Sequence, residues 1–225
     1  MKSQVKRLPN VRGTGERLRQ EILDAATRIL EETGREDALS LRGVAREVGI
    51  SAPSVYLHFK DKTDLVGTVI AAAYHALAAA MDEAGQAAGA GPWERMRATT
   101  AAYRRFAIDK PRRYRLMFSL EYEPERRPVT DDPLVDLATE APLVIVLRAW
   151  TDAVDAYLTA VEPERRAEAQ TLGIHLWTAM HGQLVLWRTL PNPHAGSDAI
   201  LIELEESLLQ RLLPAPDPQP SSAGQ

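Results

Sequence analysis

Residues 40–59 read SLRGVAREVGISAPSVYLHF, and the division of this stretch decides the fold. Two short runs of helical apolar spacing meet at a single Gly-Ile-Ser junction. In the first run Ser40 is placed to cap, and Leu41, Val44, Ala45 and Val48 form one face. Gly49 permits a sharp turn, because glycine takes positive φ without steric cost. Ser51 is placed to cap the second run, with Pro53 in its first turn, where a missing N–H costs nothing. Stepping about 100° per residue from Val55 brings Ala52 and Phe59 within roughly 60° of it, on the inner face. Pro53 and Leu57 then point nearly opposite, flanked by Ser54 and Tyr56. A short outer face with hydroxyls, apolar groups and no acid suits a DNA major groove. There hydroxyls meet base edges or phosphates, and apolar groups meet thymine methyls. The alternative left by spacing alone is a helical hairpin with two exposed apolar residues.

Outward from this stretch the pattern stays helical. Glu16 to Glu32 sets Ile22, Ala25, Ala26, Ile29 and Leu30 on one stripe, and Gly34 stops it. Asp61 with Asp64 resembles a capping box for a long helix running to about Glu83. Further helical patterns cover 93–109, 111–120, 134–161 with an interruption near Pro142, 163–190 and 197–213. Residues 121–133, EYEPERRPVTDDP, read as an acidic, proline-bearing loop, and 214–225, PAPDPQPSSAGQ, as a disordered tail. With neither strand alternation nor internal repeats, the expected fold class is all-α.

The bulk composition narrows the function. The chain has 225 residues, 45% hydrophobic and 26% charged, as in an ordinary globular protein. It contains no cysteine, so disulfides and thiolate metal sites are excluded, which fits a reducing cytoplasm. The basic N-terminal residues lack an apolar h-region, and no run approaches about 18 apolar residues, so neither a signal peptide nor a membrane span is expected. The net charge of −4 argues against nucleic acid until its distribution is considered. Residues 1–62 hold 12 Lys and Arg against 9 Asp and Glu, whereas the remainder hold 15 against 22. A basic head on an acidic body can address phosphates locally, because fields beyond about 8 Å are screened. Catalytic signatures are absent: there is no HExxH, no GxSxG and no Gly-rich phosphate loop. His175 and His181 lie about 120° apart around a helix and share no face for a metal. No cofactor is expected. A helical enzyme with an unadvertised site, and a protein–protein interaction module, remain the alternatives to a DNA-binding protein.

The leading helix RQEILDAATRILEETG, then SLRGVAREVGIS, then PSVYLHFKDKTDL together resemble the DNA-binding domain of the TetR/AcrR family of bacterial transcriptional regulators. The run Y-x-H-F-x-x-K-x-x-L, here Tyr56 to Leu65, is its most specific part. Further on, WTAMHG at Trp177–Gly182 resembles the W-x-x-x-H-G signature of one C-terminal subgroup. Between a flexible basic arm (1–15) and a Pro-rich tail (214–225), both read from composition, the resemblance implies a helix-turn-helix DNA-binding domain (16–62) and a helical ligand-binding and dimerisation domain (63–213). It implies DNA contact by Pro53, Ser54, Tyr56 and Leu57 at the groove, with Ser51 beside them, and by Tyr56, His58 and Lys62 at phosphates. Arg42 is a further backbone contact. His58 serves equally well as a packed histidine; the acid-free arm bearing Lys2, Lys6, Arg7 and Arg12 is a solubilising tail or a basic arm lying in an adjacent minor groove.

The C-terminal region carries two further expectations. Tyr103, Phe106, Met117, Trp150, Tyr157, Trp177 and His181 fall at spacings that can point inward, as plain core or as the lining of an apolar pocket. With the family resemblance they suggest a small organic effector, uncharged or weakly acidic and partly aromatic, anchored by Tyr103 and His181. The last two helices are apolar on more than one face, so each needs two neighbours. Leu184 with the stripe Leu201, Leu204, Leu208 and Leu212 is the expected homodimer interface. The whole reads as a cytoplasmic repressor, a homodimer on a palindromic double-stranded operator, released by the effector.

Overall fold

The computed structural model describes residues 14–89, 91–118, 142–189 and 197–215. Its regular elements, among the described residues, are all helical. They are α1 (Thr14–Thr33), α2 (Leu41–Val48), α3 (Ala52–Tyr56), α4 (Lys62–Ala87), α5 (Pro92–Asp109), α6 (Pro111–Met117), α7 (Leu143–Val161), α8 (Ala169–Trp187) and α9 (Ser197–Leu212). Short 3-10 turns at Glu36–Ala38 and Pro163–Glu168 precede α2 and α8. The expected basic arm at Lys2, Lys6, Arg7 and Arg12, the loop at 121–133 and most of the tail lie outside the described residues. The chain forms two compact units. One runs through Ala72 and takes in the segment from Arg115; the other begins at Ala73 and holds α5 and α7–α9.

The first unit is a small three-helix core continued into the start of α4. Ile22, Leu23, Ala25, Ala26 and Leu30 of α1 are buried with Leu41, Val44 and Ala45 of α2, Val55 of α3 and Phe59. Each large side chain so buried contributes about 1.5–3 kcal/mol. The turns between them follow from single residues. Gly34, at φ 67°, ends α1 while its N–H bonds Leu30 O at 2.8 Å. Ser40 Oγ accepts the Gly43 N–H at 3.0 Å, capping α2. At its other end Gly49 adopts φ 76°, and Ile50 N–H returns to Ala45 O at 2.9 Å, closing a Schellman turn. The α4 N-terminus is capped by Asp61, whose Oδ1 accepts the Asp64 N–H at 2.9 Å, while Asp64 reaches back to the Lys60 N–H at 2.8 Å.

Helix α3 is shorter than its apolar spacing suggests. It stops at Tyr56, because Val55 O accepts both His58 N–H and Phe59 N–H, at 2.9 and 3.0 Å, and the last turn tightens. Phe59 still reaches the core, buried beneath the Arg19 guanidinium, which sits 5.1 Å from the ring centroid. Ser51 occupies the N-cap position without capping through its side chain. Its Oγ pairs instead with Ser54 Oγ at 2.7 Å.

In the second unit α7 packs against α8 along most of its length, with α5 and α9 alongside. Gly173 makes the close approach possible, since a Cβ there would lie 3.1 Å from the Thr151 backbone. Helix α9 turns one stripe inward and leaves Leu204, Leu208 and Leu212 of the expected interface stripe outside it. Leu201, Glu205, Leu209 and Leu213 are buried, one every fourth residue. Glu205 is tolerated there because Arg104 of α5, itself buried, donates to its carboxylate at 2.9 Å. The predicted helix from Pro163 begins with a 3-10 segment, held by Arg165 between Glu162 and Glu168 at 3.1 and 2.8 Å. Helix α4 has the length and mean hydropathy, 1.4, of a membrane-crossing helix, yet 44% of that window is buried inside the chain, as a core helix requires.

Candidate functional site

The outer surface of α3 is built by what its inner surface anchors. Val55 is fully buried and Phe59 nearly so, which forces the intervening residues outward. Leu57 is 83% exposed and Tyr56 58%. Pro53 is exposed, and Ser54 and His58 are half-buried. Tyr56 ends the five-residue helix and Leu57 follows as its C-cap, so both stand in water and add nothing to the core. Arg42 is exposed in the first turn of α2 and makes no ion pair among the described residues. Lys62 opens α4, where free backbone N–H groups favour an anion, and its Nζ stands 4.0 Å from Glu36 Oε1. At that distance and partial exposure the pair is worth little, so the ammonium stays available to a phosphate. Ser51 and Ser54 share one hydrogen bond and present the remaining hydroxyl capacity on the same surface. The fold therefore puts side chains suited to base edges and phosphates around one short helix.

A second constellation occupies the other unit. Trp177, Tyr103, Tyr114 and His181 form one continuous chain of hydrogen bonds. The Trp177 indole can only donate, so Tyr103 Oη accepts its Nε1–H at 3.1 Å. Tyr103 and Tyr114 hydroxyls lie 2.9 Å apart, and Tyr114 Oη lies 2.7 Å from His181 Nδ1. Because the indole can only donate, Tyr103 satisfies its own O–H by donating to Tyr114, and the order runs Trp177 to Tyr103 to Tyr114. The reverse order strands the Tyr103 O–H, whose two polar neighbours would both be donating to it. His181 closes the chain through Nδ1, whose role as donor or acceptor is set by its tautomer. Burial pulls its pKa below the ordinary 6.5, in keeping with a neutral ring. Burial also pushes both tyrosine hydroxyls well above their ordinary 10, so they stay protonated.

Trp150 stacks edge-on against Tyr103, with ring centroids 5.4 Å apart, and is fully buried. Its Nε1–H has no hydrogen-bond partner among the described residues.

Of the seven predicted effector residues the structure brings four together: Tyr103, Trp150, Trp177 and His181. Tyr157 serves elsewhere, packing on Trp93 at 5.7 Å and donating its hydroxyl to Pro214 O at 2.6 Å. Phe106 is buried with the Lys110 ammonium 4.9 Å from its ring centroid. Met117 is buried in a segment that groups with the first unit. Tyr114 was not anticipated, although it is the central link. It sits in the basic run PRRYRLM, and its one signal is being the lone aromatic there.

The predicted dimer residues also divide. Leu184 and Leu201 are buried within the chain's own second unit, while Leu204 is exposed and Leu208 and Leu212 are half-buried. Val185, Leu186, Ile200 and Ile202 are exposed as well. Among the described residues nothing lies within 4 Å of where a Cβ would stand on Gly182, one turn before Val185 and Leu186.

Comparison with known proteins bears on both units. Residues 22–69 match the family described as "Bacterial regulatory proteins, tetR family", and residues 96–199 match "Tetracyclin repressor-like, C-terminal domain". An uncharacterized HTH-type transcriptional regulator of Mycobacterium tuberculosis is 26% identical over 191 residues, covering 83% of this chain and 77% of that one. Among solved structures, a protein of unknown function from Rhodococcus sp. RHA1 superimposes with a TM-score of 0.63 at 25% identity, covering 85% of this chain and 93% of its own. A TetR-family transcriptional regulator from Streptomyces coelicolor shares the fold with a TM-score of 0.58 at 21% identity, covering 87% and 99%. Both matched families are families of transcriptional regulators, and one matched region falls in the first unit of the fold and the other mainly in the second. The chain is a transcriptional regulator of the TetR family, made of that family's N-terminal helix-turn-helix DNA-binding domain and a tetracycline-repressor-like C-terminal domain.

Proposed function

We propose that the protein is a cytoplasmic repressor that binds a palindromic operator as a homodimer and is released by a small organic effector. The observation that carries the DNA reading is the exposure of Tyr56 and Leu57 on a helix anchored by Val55 and Phe59. In this reading α3 enters the major groove with Pro53, Ser54, Tyr56 and Leu57 toward the bases. Arg42, Ser51, His58 and Lys62 approach the flanking phosphates. Two copies set their α3 helices about 34 Å apart, one turn of DNA, which is why the operator is palindromic. The second copy covers the outer surface of α8 and α9, where Val185, Leu186, Ile202 and Leu204 otherwise meet water. The effector occupies the aromatic cluster of the second unit. Binding there and binding to DNA are reciprocal, so an effector that releases the operator must itself hold the DNA-bound form more weakly.

Selection of bound sequences from a random duplex pool tests the proposal. An inverted repeat with half-sites one turn apart is the expected product. Recovery of a single unrepeated half-site, or of no enriched sequence, refutes it.

A further inference from the structure

The polar groups of the aromatic cluster are not equally available. Tyr103 Oη is committed twice, accepting from Trp177 and donating to Tyr114, and His181 Nδ1 is committed to Tyr114. A ligand that used either would have to break a satisfied chain. Trp150 Nε1 is different: it is a buried donor with no acceptor among the described residues, on a ring wholly out of solvent. An unmade hydrogen bond of this kind typically costs about as much as the desolvation of the group, and buried indole N–H groups are ordinarily paired. The unpaired donor lies in an aromatic setting, with Tyr103 edge-on at 5.4 Å. Trp177 and His181, in the same cluster on α8, are only partly buried, whereas Tyr103 and Trp150 are sealed. The cluster thus grades from an accessible end to a dry one.

Charge limits what the dry end can take. Arg104, the buried cation of this unit among the described residues, is already neutralised by Glu205 at 2.9 Å. An anion brought beside Trp150 would lose its hydration with no buried counter-ion among the described residues, whereas a carbonyl loses far less and is repaid by one hydrogen bond. We propose that Trp150 Nε1–H is the anchoring donor of the effector site, and that the effector is a neutral, partly aromatic molecule whose carbonyl-type oxygen accepts that hydrogen bond. This assignment rests on the effector reading above and narrows it. It moves the anchor from Tyr103 and His181 to Trp150 and removes acids from the ligand class.

The test uses the full-length protein without DNA, so its failure is separable from failure of the operator reading. Acetophenone and α-methylstyrene are matched in shape and differ only in C=O against C=CH2. Both are titrated by calorimetry into the parent protein and into Trp150→Phe, which keeps an aromatic ring and removes the donor. The ratio of the acetophenone affinity to the α-methylstyrene affinity should fall about tenfold in the variant. In the parent, the indole 1H–15N resonance of Trp150, one of four such signals, should move on adding acetophenone and stay in place with α-methylstyrene. This second readout stands even if the variant fails to fold. An unchanged affinity ratio in a folded variant overturns the proposal. So does a Trp150 resonance indifferent to acetophenone, as expected if a trapped water satisfies the donor. Benzoate binding more tightly than acetophenone overturns the exclusion of acids.

Discussion

Replacing Glu205 by alanine strands the Arg104 guanidinium inside the second unit. The two side chains are 11% and 8% exposed, and Nε stands 2.9 Å from Oε2. At an effective dielectric of about 20 a pair of charges some 4 Å apart attracts by about 4 kcal/mol, most of it offset by the desolvation of both partners. Burial raises the Glu205 pKa and the hydrogen bond from Arg104 draws it back down, so the residue sits where these two effects oppose each other. Removing one partner keeps the desolvation cost and loses the attraction, which typically destabilises by about 3–5 kcal/mol. Glu205 lies between Leu201 and Leu209 on the buried stripe of α9, so the loss is felt by the whole helix. With a urea m-value of about 2 kcal/mol/M, the unfolding midpoint should drop by about 1.5–2.5 M, read by circular dichroism and tryptophan fluorescence. The double substitution Arg104→Met with Glu205→Leu replaces the pair by apolar groups of similar volume. It should return to within about 1 kcal/mol of the parent. A Glu205→Ala variant that loses less than about 1 kcal/mol, or a double variant as weak as the single one, would show that the burial argument is wrong.

Other expectations bear on the operator surface, the assembly, the inner cluster and the local caps. Tyr56→Ala and Lys62→Ala should each weaken operator binding about tenfold or more in an anisotropy titration while leaving the melting curve in place. The lysine variant should also lower the salt slope by about one unit per monomer site. Leu204→Glu with Leu208→Glu should convert the protein to monomers by light scattering and abolish tight operator binding; a parent protein that is already monomeric contradicts the assembly. His181 is held neutral in the fold, so the unfolded chain takes up its proton first as the pH falls. The corresponding stability is complete above about pH 7 and is lost as the pH drops through the unfolded value of 6.5 toward the lower folded one. Melting at about pH 7.5 and about pH 5.5 should therefore differ less in His181→Gln than in the parent. Ser40→Ala, which removes the acceptor of the Gly43 N–H, should cost about 1 kcal/mol in urea unfolding.

Local chemistry made much of the first unit legible. Gly34 and Gly49 stop helices at positive φ, and Ser40 and Asp61 start them with side-chain caps, all within three or four residues of chain. Where the deciding partner is distant, reading along the chain fails. Glu205 looks like a solvent residue until Arg104, 101 positions earlier, is placed against it. The wheel gives Leu204, Leu208 and Leu212 as an interface stripe, but it does not show that Glu205 completes the inward row of Leu201, Leu209 and Leu213. The candidate sites divide the same way. Tyr56 and Leu57 are recognisable as outward residues because Val55 and Phe59 are their immediate neighbours. Tyr114 is hidden among arginines, and Tyr157 looks like a pocket aromatic until Trp93 and Pro214 claim it. An unpaired indole N–H is visible only once every neighbour has been placed.

Gly182 stands in the interior of α8 with open space where a side chain would begin. A glycine at such a place weakens a helix by about 0.5–1 kcal/mol relative to alanine, and no crowding within its own subunit requires it. Gly182→Ala should therefore make the isolated subunit slightly sturdier. If two helices cross at this point, the added methyl group holds their backbones apart. The same substitution then raises the unfolding midpoint while raising the dimer dissociation constant, so one carbon atom separates the interests of the subunit from those of the pair.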